Sequence, residues 1–240
     1  RIVAVEGMPI TFEVKVLNAE PKIVNAKVQV LSGLKDAKVS PSQQKLGAGE
    51  EVKFLVTGTP TEERAKLKVS TEFATHEFEV PLEQLPAREL VEPLPRGLNL
   101  QFVAKFEAET LAHITGELGS DKEASNGSVW LAKRNQHKAG HMVFGPYTQI
   151  DAGRYIALFR LKRLNEGEGV IAVVDSCVGG GTPITAERRV SSEELPAAQF
   201  KLVPMTFNHP GGSVETRVFW TGQADLAVDC VIVWQIIETR

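Results

Sequence analysis

Two glutamates separated by one residue, Glu107 and Glu109, lie in the stretch FEAET at positions 106–110. If this stretch is a β-strand, its side-chain period of two places both glutamates on one face and turns Phe106 and Ala108 to the other. A third acid, Asp229, lies far along the chain in the apolar run DLAVDCVIVWQI. Because a lone buried carboxylate is costly, Asp229 must face water or have a cation or hydrogen-bond partner.

Three carboxylates from two distant segments, joined by backbone carbonyls, would form the oxygen-rich shell that Ca²⁺ prefers. A calcium ion held by them would be structural, because it would fix the first strand of the second half of the chain to its last strand. The residues alone leave a second interpretation open, in which the three acids lie at solvated strand ends.

The elements that must position these acids are strands. Between residues 10 and 81, apolar and polar residues alternate in short runs such as Phe12-Val14-Val16 and Val52-Phe54-Val56, a period typical of half-buried strands. Polar segments at 40–51 and 59–63 separate the runs. Several short strands without a helical period predict an antiparallel β-sandwich of immunoglobulin-like type over residues 2–84.

A connector and a second, larger all-β unit follow. Three prolines and several charges at 82–98 indicate an extended linker, which we place at residues 85–98. Alternation then resumes in longer runs, which predicts a jelly-roll of two face-packed sheets over residues 99–240. A single helical turn is predicted at 191–199. The predicted strands of this unit are 153–163, 169–178, 199–207, 213–220 and 226–236, with turns at DAG, NEGEG, GGG and HPGG.

Composition narrows the possible partners. The net charge of −3 over 240 residues argues against nucleic-acid binding, and no apolar run is long enough to span a membrane.

Cys177 and Cys230 are the only cysteines, and each lies in an apolar run typical of a buried free thiol, with a single disulfide as the alternative. The chain begins at Arg1 and shows no signal peptide, and we expect it to be a mature product or an excised piece of a longer protein.

The sequence lacks the common catalytic motifs, so it does not indicate a particular reaction. The sequence contains no GxSxG, HExxH or GxxxxGK[ST] pattern, and the glycines at 179–181 precede Thr-Pro, which is typical of a turn. His137 and His141 are four residues apart, but a glycine interrupts that stretch, and a solvated loop explains it better than a metal site. We therefore expect no enzyme activity, while a catalytic pair among the many acids stays an open alternative.

Four segments occur in an order that resembles the carbohydrate-binding modules of the family 6 and family 35 type. They are FEAET, ASNGSVWLA at 124–132, HMVFGPYTQIDAGRYIALFRLK at 141–162, and ADLAVDCVIVW at 224–234. The resemblance covers roughly residues 100–236 and implies a β-sandwich whose first-strand glutamates and last-strand aspartate hold a structural calcium. It implies that role for Glu107, Glu109 and Asp229, with a backbone carbonyl near Ser128 completing the shell.

In such modules an exposed aromatic ring stacks on a sugar ring while polar side chains bind its hydroxyls. The resemblance implies that Trp220 is this ring, with Gln223 and Asp225 in the loop that follows it. Trp130 and Tyr147 are the next candidates, whereas Trp234 is expected in the core.

The sequence thus predicts non-catalytic binding of a polysaccharide or glycan by a calcium-stabilised jelly-roll, with an immunoglobulin-like spacer, in a larger secreted or cell-surface protein. A structural or protein-interaction module without sugar binding is one alternative. An accessory piece of a polysaccharide-degrading enzyme is the other.

Overall fold

A computed structural model describes residues 1–95 and 97–237, and these residues form an all-β protein with two compact units. The first unit contains Arg1–Ala87 and Asn99–Phe102; the second contains Arg88–Leu98 and Val103–Ile237. Single 3₁₀ turns lie at Ala87–Glu89 and Ala108–Thr110. In the part described, no helix is long and apolar enough to cross a bilayer.

The strands, in chain order, are β1 (Ile2–Val5), β2 (Ile10–Leu17), β3 (Val24–Ser32), β4 (Leu34–Ser40), β5 (Gln43–Leu46), β6 (Glu51–Pro60), β7 (Arg64–Ser70), β8 (Thr75–Leu85), β9 (Asn99–Glu107), β10 (Glu117–Ser120), β11 (Ser128–Ala132), β12 (Gly140–Arg163), β13 (Val170–Val178), β14 (Ile184–Ser191), β15 (Phe200–Trp220) and β16 (Leu226–Ile237).

The first unit is a sandwich of two sheets around one apolar core. One sheet has the strand order β1-β8-β7-β3-β5, and the other contains β2, β6 and β4. The core takes alternate residues from both sheets, for example Phe12 and Phe54 from one and Val28 and Leu67 from the other. This alternation is the period of two read from the sequence, and it confirms the all-β sandwich. Its immunoglobulin-like type stays a prediction.

The second unit is organised by two long antiparallel strands, β12 with 24 residues and β15 with 21 residues. The first half of β12 pairs with the second half of β15, next to β13 and β14. The other halves of both strands pair with each other, and β16 lies beside β12 there. Residues from both halves, such as Val174 and Val218 on one side and Phe159 and Val231 on the other, meet in a single core.

Several predicted turns are wrong. The DAG segment at 151–153 lies inside β12, and HPGG at 209–212 lies inside β15, so the predicted strands 199–207 and 213–220 are one strand. Gly211 and Gly212 have φ of +94° and +99°, and the pairing with β12 continues through them, with Gly212 opposite Ile150 and Pro210 opposite Ala152, so the chain does not reverse there. The predicted helical turn at 191–199 contains no helix, and β4 and β5 occupy part of the predicted loop at 40–51.

The structure also draws the boundary between the units differently from the predicted 2–84, 85–98 and 99–240. Residues 88–95 belong to the second unit, where the Val91 amide donates a hydrogen bond to the Leu202 carbonyl. Residues 99–102 belong to the first unit, where the Thr11 hydroxyl donates to Asn99. Residues 88–95 of the expected linker are therefore packed on the second unit, where they are hydrogen-bonded to β15.

Candidate functional site

The predicted cation ligands do not share one strand. β9 ends at Glu107, and Glu109 lies in the 3₁₀ turn Ala108–Thr110. The expectation that strand alternation puts both glutamates on one face is therefore wrong, because the chain leaves the strand between them. Ala108 is fully buried and anchors this turn in the core.

Asp229 is buried and has partners on both of its carboxylate oxygens. Its Oδ2 accepts a hydrogen bond of 2.8 Å from Arg160 Nη1, and its Oδ1 accepts one of 3.1 Å from the Ser125 amide. Ser125 Oγ lies 3.0 Å from Asp229 Oδ1 and also 3.0 Å from Glu107 Oε2. A hydroxyl has one proton, so it can donate to only one of these two carboxylates at a time.

The other predicted ligands lie beside this pair. Glu109 Oε1 accepts a 2.5 Å hydrogen bond from Asn126 Nδ2, while Glu109 Oε2 is buried and has no partner among the described residues. The Ser128 amide donates to Asn126 Oδ1, so Ser128 is joined to Glu109 through Asn126. Ligand atoms of Glu107, Asp229 and Cys230 lie within 4.8 Å of one another.

Charge favours a cation at this cluster, whereas the geometry brings together only two of the three predicted acids. Lys105 pairs with Glu107, and Arg160 is shared between Asp229 and Glu89. Asp229 Oδ1 and Glu107 Oε2 both lie 3.0 Å from Ser125 Oγ and could hold Ca²⁺ together, whereas Asp229 Oδ2 is already bound by a guanidinium. Glu109 is not among the ligand atoms that lie within 4.8 Å of one another, so the structure does not bring all three predicted ligands to one point.

Arg160 is a site residue that the sequence analysis missed. Its Nε and Nη2 donate to the two carboxylate oxygens of Glu89 at 2.7 and 2.8 Å, and Nη1 also donates to the Glu123 carbonyl at 3.0 Å. Burial alone would lower its pKa, but the hydrogen bonds and charges of Glu89 and Asp229 outweigh burial and raise it. Its position inside the apolar run YIALFRLK was the available signal, and it is the same signal that nominated Asp229.

Trp220 does not have the exposed ring that was expected. It is fully buried in the core of the second unit, and its Nε1 donates a 2.7 Å hydrogen bond to the Ala224 carbonyl. In β15 the side chains of Val214, Val218 and Trp220 all turn inward, because they are an even number of residues apart. The prediction that Trp220 offers a face to a sugar is therefore wrong.

Gln223 and Asp225 lie after Trp220 as predicted, but beside Arg134 rather than beside an exposed ring. The Gln223 carbonyl accepts a hydrogen bond from Arg134 Nη1, and Asp225 Oδ1 accepts one of 2.9 Å from the Arg134 amide. Trp130 is half-buried, because the His113 ring stacks on it at a centroid distance of 3.4 Å and an angle of 7°. One face of the Trp130 ring is therefore covered by His113.

Tyr147, the remaining candidate, lies on the outward face of the β12–β15–β13 sheet, opposite the core. We call this surface the polar–aromatic face. The strand register places Asp175 opposite Arg217, Cys177 opposite Glu215, and His141 opposite Phe219. Its members are His141, Phe144 and Tyr147 from β12, Asp175 and Cys177 from β13, and Glu215, Arg217 and Phe219 from β15.

The polar groups of this face form two neighbouring hydrogen-bonded groups, one of Asp175 and Arg217 and one of Tyr147, Glu215 and Cys177. Arg217 Nε and Nη2 donate to the two oxygens of Asp175 at 2.7 and 3.0 Å. Glu215 Oε1 accepts from the Tyr147 hydroxyl at 3.3 Å, and Glu215 Oε2 accepts from the Cys177 thiol at 3.3 Å. Asp175 is 4% exposed and Glu215 is 3% exposed, so both acids are held under the surface by their neighbours.

The rings of this face are partly accessible. Tyr147 is 45% exposed and has a φ of +65°, a conformation that turns its side chain away from the regular pleat. The His141 ring meets Phe219 edge-on at 5.3 Å and Phe144 at 6.2 Å. Burial, and then the charge of Arg217, lower the pKa of His141, so this residue is neutral near pH 7.

Asp175 and Glu215 could have been found from the sequence. Each is a single acid in an apolar run, GVIAVVDSCV and SVETRVFW, which is the argument that selected Asp229. That argument predicts a partner for a buried acid but does not say which one. The strand register brings Asp175 to Arg217, and an irregularity between Pro146 and Thr148 brings Tyr147 beside Glu215, which is itself opposite Pro146.

Comparisons with known proteins find no matching family model and no matching curated protein. Among solved structures, a carbohydrate-binding module (CBM6) from Cellvibrio mixtus lichenase 5A, in complex with cellotriose, is 13% identical over 58% of this chain and 99% of its own, with a TM-score of 0.40. The C-terminal CBM6 of LamC from Zobellia galactanivorans is 15% identical over 54% and 97%, with a TM-score of 0.39. The tandem CBM22 modules of Paenibacillus barcinonensis Xyn10C are 11% identical over 95% and 83%, with a TM-score of 0.38.

Proposed function

We propose that the second unit binds a polysaccharide or glycan without catalysis, and that it does so on the polar–aromatic face. The observation that carries this proposal is that an exposed aromatic side chain is hydrogen-bonded to a buried acid on one sheet surface. Tyr147 is half-exposed there, and its hydroxyl is bonded to the buried acid Glu215. The bidentate Asp175–Arg217 pair lies beside them.

Hydrogen-bonded side chains such as these are suited to bind sugar hydroxyls. Side-chain networks that are bonded among themselves keep their donors and acceptors in fixed directions. Sugar hydroxyls need such fixed partners, because a hydroxyl buried without one is penalised. The rings of Phe144, Tyr147 and Phe219 supply the apolar surface on which a pyranose packs.

The same chemistry supports binding rather than turnover. Burial first, and then the hydrogen bond to Glu215, raise the pKa of Cys177 to about 12, so the thiol is not a ready nucleophile at neutral pH. Asp175 is held at both oxygens by Arg217 and is not free to transfer a proton.

A glycan array tests the proposal. We expect Phe219→Ala and Tyr147→Ala to weaken binding of whichever glycan the wild type retains by at least tenfold, since each removes a stacking surface of the face. Phe73→Ala is the matched control, because Phe73 is a 54% exposed ring in the first unit. Absence of binding to every glycan would instead favour a structural or protein-interaction role.

The remaining parts of the protein fit this role as proposals. We propose that the first unit is an immunoglobulin-like spacer, and that the chain belongs to a secreted or cell-surface protein whose other domains act on or attach to polysaccharide. An accessory role beside a polysaccharide-degrading enzyme follows if the parent protein carries such a domain.

We also propose that Ca²⁺ stabilises the second unit through Glu107, Glu109 and Asp229. Support comes from the buried Glu109 Oε2 without a partner and from the single Ser125 hydroxyl between two carboxylates. Addition of a chelator should lower the unfolding midpoint of the second unit, and added Ca²⁺ should restore it. Glu109→Gln should abolish this response without a large loss of stability in chelator; a midpoint that ignores both reagents would contradict the proposal.

A further inference from the structure

We propose that the polar–aromatic face prefers a sugar that carries an amine, such as the glucosamine units of a deacetylated chitin polymer, over neutral and acidic sugars. This rests on the proposed function, because it specifies the ligand of the same surface. The group that reads the amine is the pair formed by Tyr147 and Glu215.

The face has more buried negative than positive charge. Asp175 and Glu215 are its two buried acids, and Arg217 is the guanidinium that faces them. Both Arg217 nitrogens that donate hydrogen bonds, Nε and Nη2, donate to Asp175. On the neighbouring strand β14, the register places Glu187 opposite Asp175 and Arg189 opposite Val173, and these two exposed charges balance each other.

Glu215 is the acid that makes no hydrogen bond to a cation among the described residues, and the charge of Arg217 reaches it only through space. Within residues 1–95 and 97–237 it forms no ion pair, and its bonded partners are a phenol and a thiol, each at 3.3 Å. Both are neutral donors, and the thiol is a weak one. A carboxylate that is 3% exposed and has only neutral partners is stabilised by any cation that comes to rest beside it.

Tyr147 connects this buried charge to the ligand. Because its hydroxyl proton is directed to Glu215, its oxygen presents only lone pairs to the outside. An ammonium group donates an N–H hydrogen bond to that oxygen. Its positive charge also attracts the Glu215 carboxylate, which lies behind the Tyr147 hydroxyl. The partly exposed Phe144 and Phe219 rings add a surface that attracts a cation through the ring face.

A uronic acid would meet the opposite situation. Its carboxylate would find an acceptor oxygen at Tyr147 and a buried negative charge behind it, while the nearest guanidinium is already held by Asp175. A neutral sugar hydroxyl can donate to Tyr147 but gains nothing from the charge of Glu215. The expected order of affinity is therefore glucosamine, then neutral sugar, then uronate.

The test compares oligomers of equal length by titration calorimetry: glucosamine tetramer, N-acetylglucosamine tetramer, cellotetraose and a tetramer of galacturonate. We expect the glucosamine tetramer to bind about tenfold more tightly than its acetylated counterpart, a ratio of the size that one partly shielded charge pair produces. The galacturonate tetramer should bind most weakly of the four.

Two variants show whether Glu215 is the cause. Glu215→Gln keeps an acceptor for the Tyr147 hydroxyl but removes the charge, so the ratio of the glucosamine affinity to the N-acetylglucosamine affinity should fall to about twofold. Glu187→Gln removes an exposed acid of the same face and is the control for non-specific attraction of a polycation. It should leave the preference nearly intact.

The outcomes separate this proposal from the one beneath it. Equal affinity for the glucosamine and acetylated tetramers, or an equal fall in preference in both variants, would overturn the amine preference and leave glycan binding in place. Binding of no glycan at all, by a wild-type protein whose unfolding is cooperative, would overturn both.

Discussion

The buried pair of Arg160 and Asp229 makes a quantitative prediction about stability. Arg160 is 5% exposed and Asp229 is fully buried, and Arg160 also holds Glu89 through two hydrogen bonds. Arg160→Met keeps the apolar stem but leaves the Asp229 carboxylate with no cation partner at its Oδ2. Breaking a buried pair from one side costs about 3–5 kcal/mol, because the remaining charge stays desolvated.

For a unit of this size, that loss corresponds to a fall of roughly 10 °C in the unfolding midpoint. Differential scanning calorimetry resolves such a shift, and urea unfolding checks it against the free energy of unfolding. The double variant Arg160→Met with Asp229→Asn should lose less free energy of unfolding than the sum of the two single variants. Asp229→Asn removes the buried charge that Arg160→Met leaves without a partner.

A surface pair provides the control. Lys66 Nζ lies 2.8 Å from Glu77, and both side chains are nearly half exposed. Water and salt screen this pair, so Lys66→Met should give no measurable change. If Arg160→Met cost as little as Lys66→Met, the buried network would not be a source of stability, and the reasoning from burial would be refuted.

Three further predictions concern the second unit. Trp220→Phe should destabilise it by about 1–3 kcal/mol in urea unfolding, because the carbonyl bound by the indole is left buried without a donor, and glycan affinity should not change. Burial lowers the pKa of His141 and His209, so their contribution to stability is complete above the ordinary pKa of about 6.5 and is lost as the pH falls through the folded value; the calorimetric midpoint should fall with acid, and less so when both are asparagine. Gly116→Ala should be destabilising and should change the fluorescence of Trp130, since Gly116 has a φ of +98° and a Cβ there would lie 2.6 Å from the indole nitrogen; unchanged stability and emission would contradict that packing.

The strand pattern could be read from the sequence because alternation follows from burial on one face, as in β2, β6 and β7. The length of β12 and β15 could not, because Gly153 and Gly211 look like turn residues whether a chain reverses or only bends. Short, exposed strands such as β4 lack alternation altogether. Turn chemistry therefore divided β15 into two predicted strands and left β5 inside a predicted loop.

The candidate sites follow the same division. Single acids in apolar strands marked Asp229, and the same criterion applied to Asp175 and Glu215 marks the polar–aromatic face. The sequence does not supply the strand register or its irregularities. Asp229 meets Arg160, and Glu215 meets Tyr147, at positions where the register shifts. Exposure of a ring was equally out of reach, because an end-of-strand tryptophan such as Trp220 packs inward or outward according to its parity in the strand.

The bound course of residues 88–95 determines where the chain can be cut. A recombinant fragment that starts at residue 99, the position that composition suggests, would lack Glu89 and Glu92, which pair with Arg160 and Arg188. In such a fragment the buried Arg160 would keep Asp229 but would lose the acceptors of its Nε and Nη2, so we expect it to express poorly or aggregate, although every strand of the second unit is present. A cut before Arg88 retains both carboxylates, so a recombinant fragment of the second unit should begin at Arg88 rather than at the predicted start, residue 99.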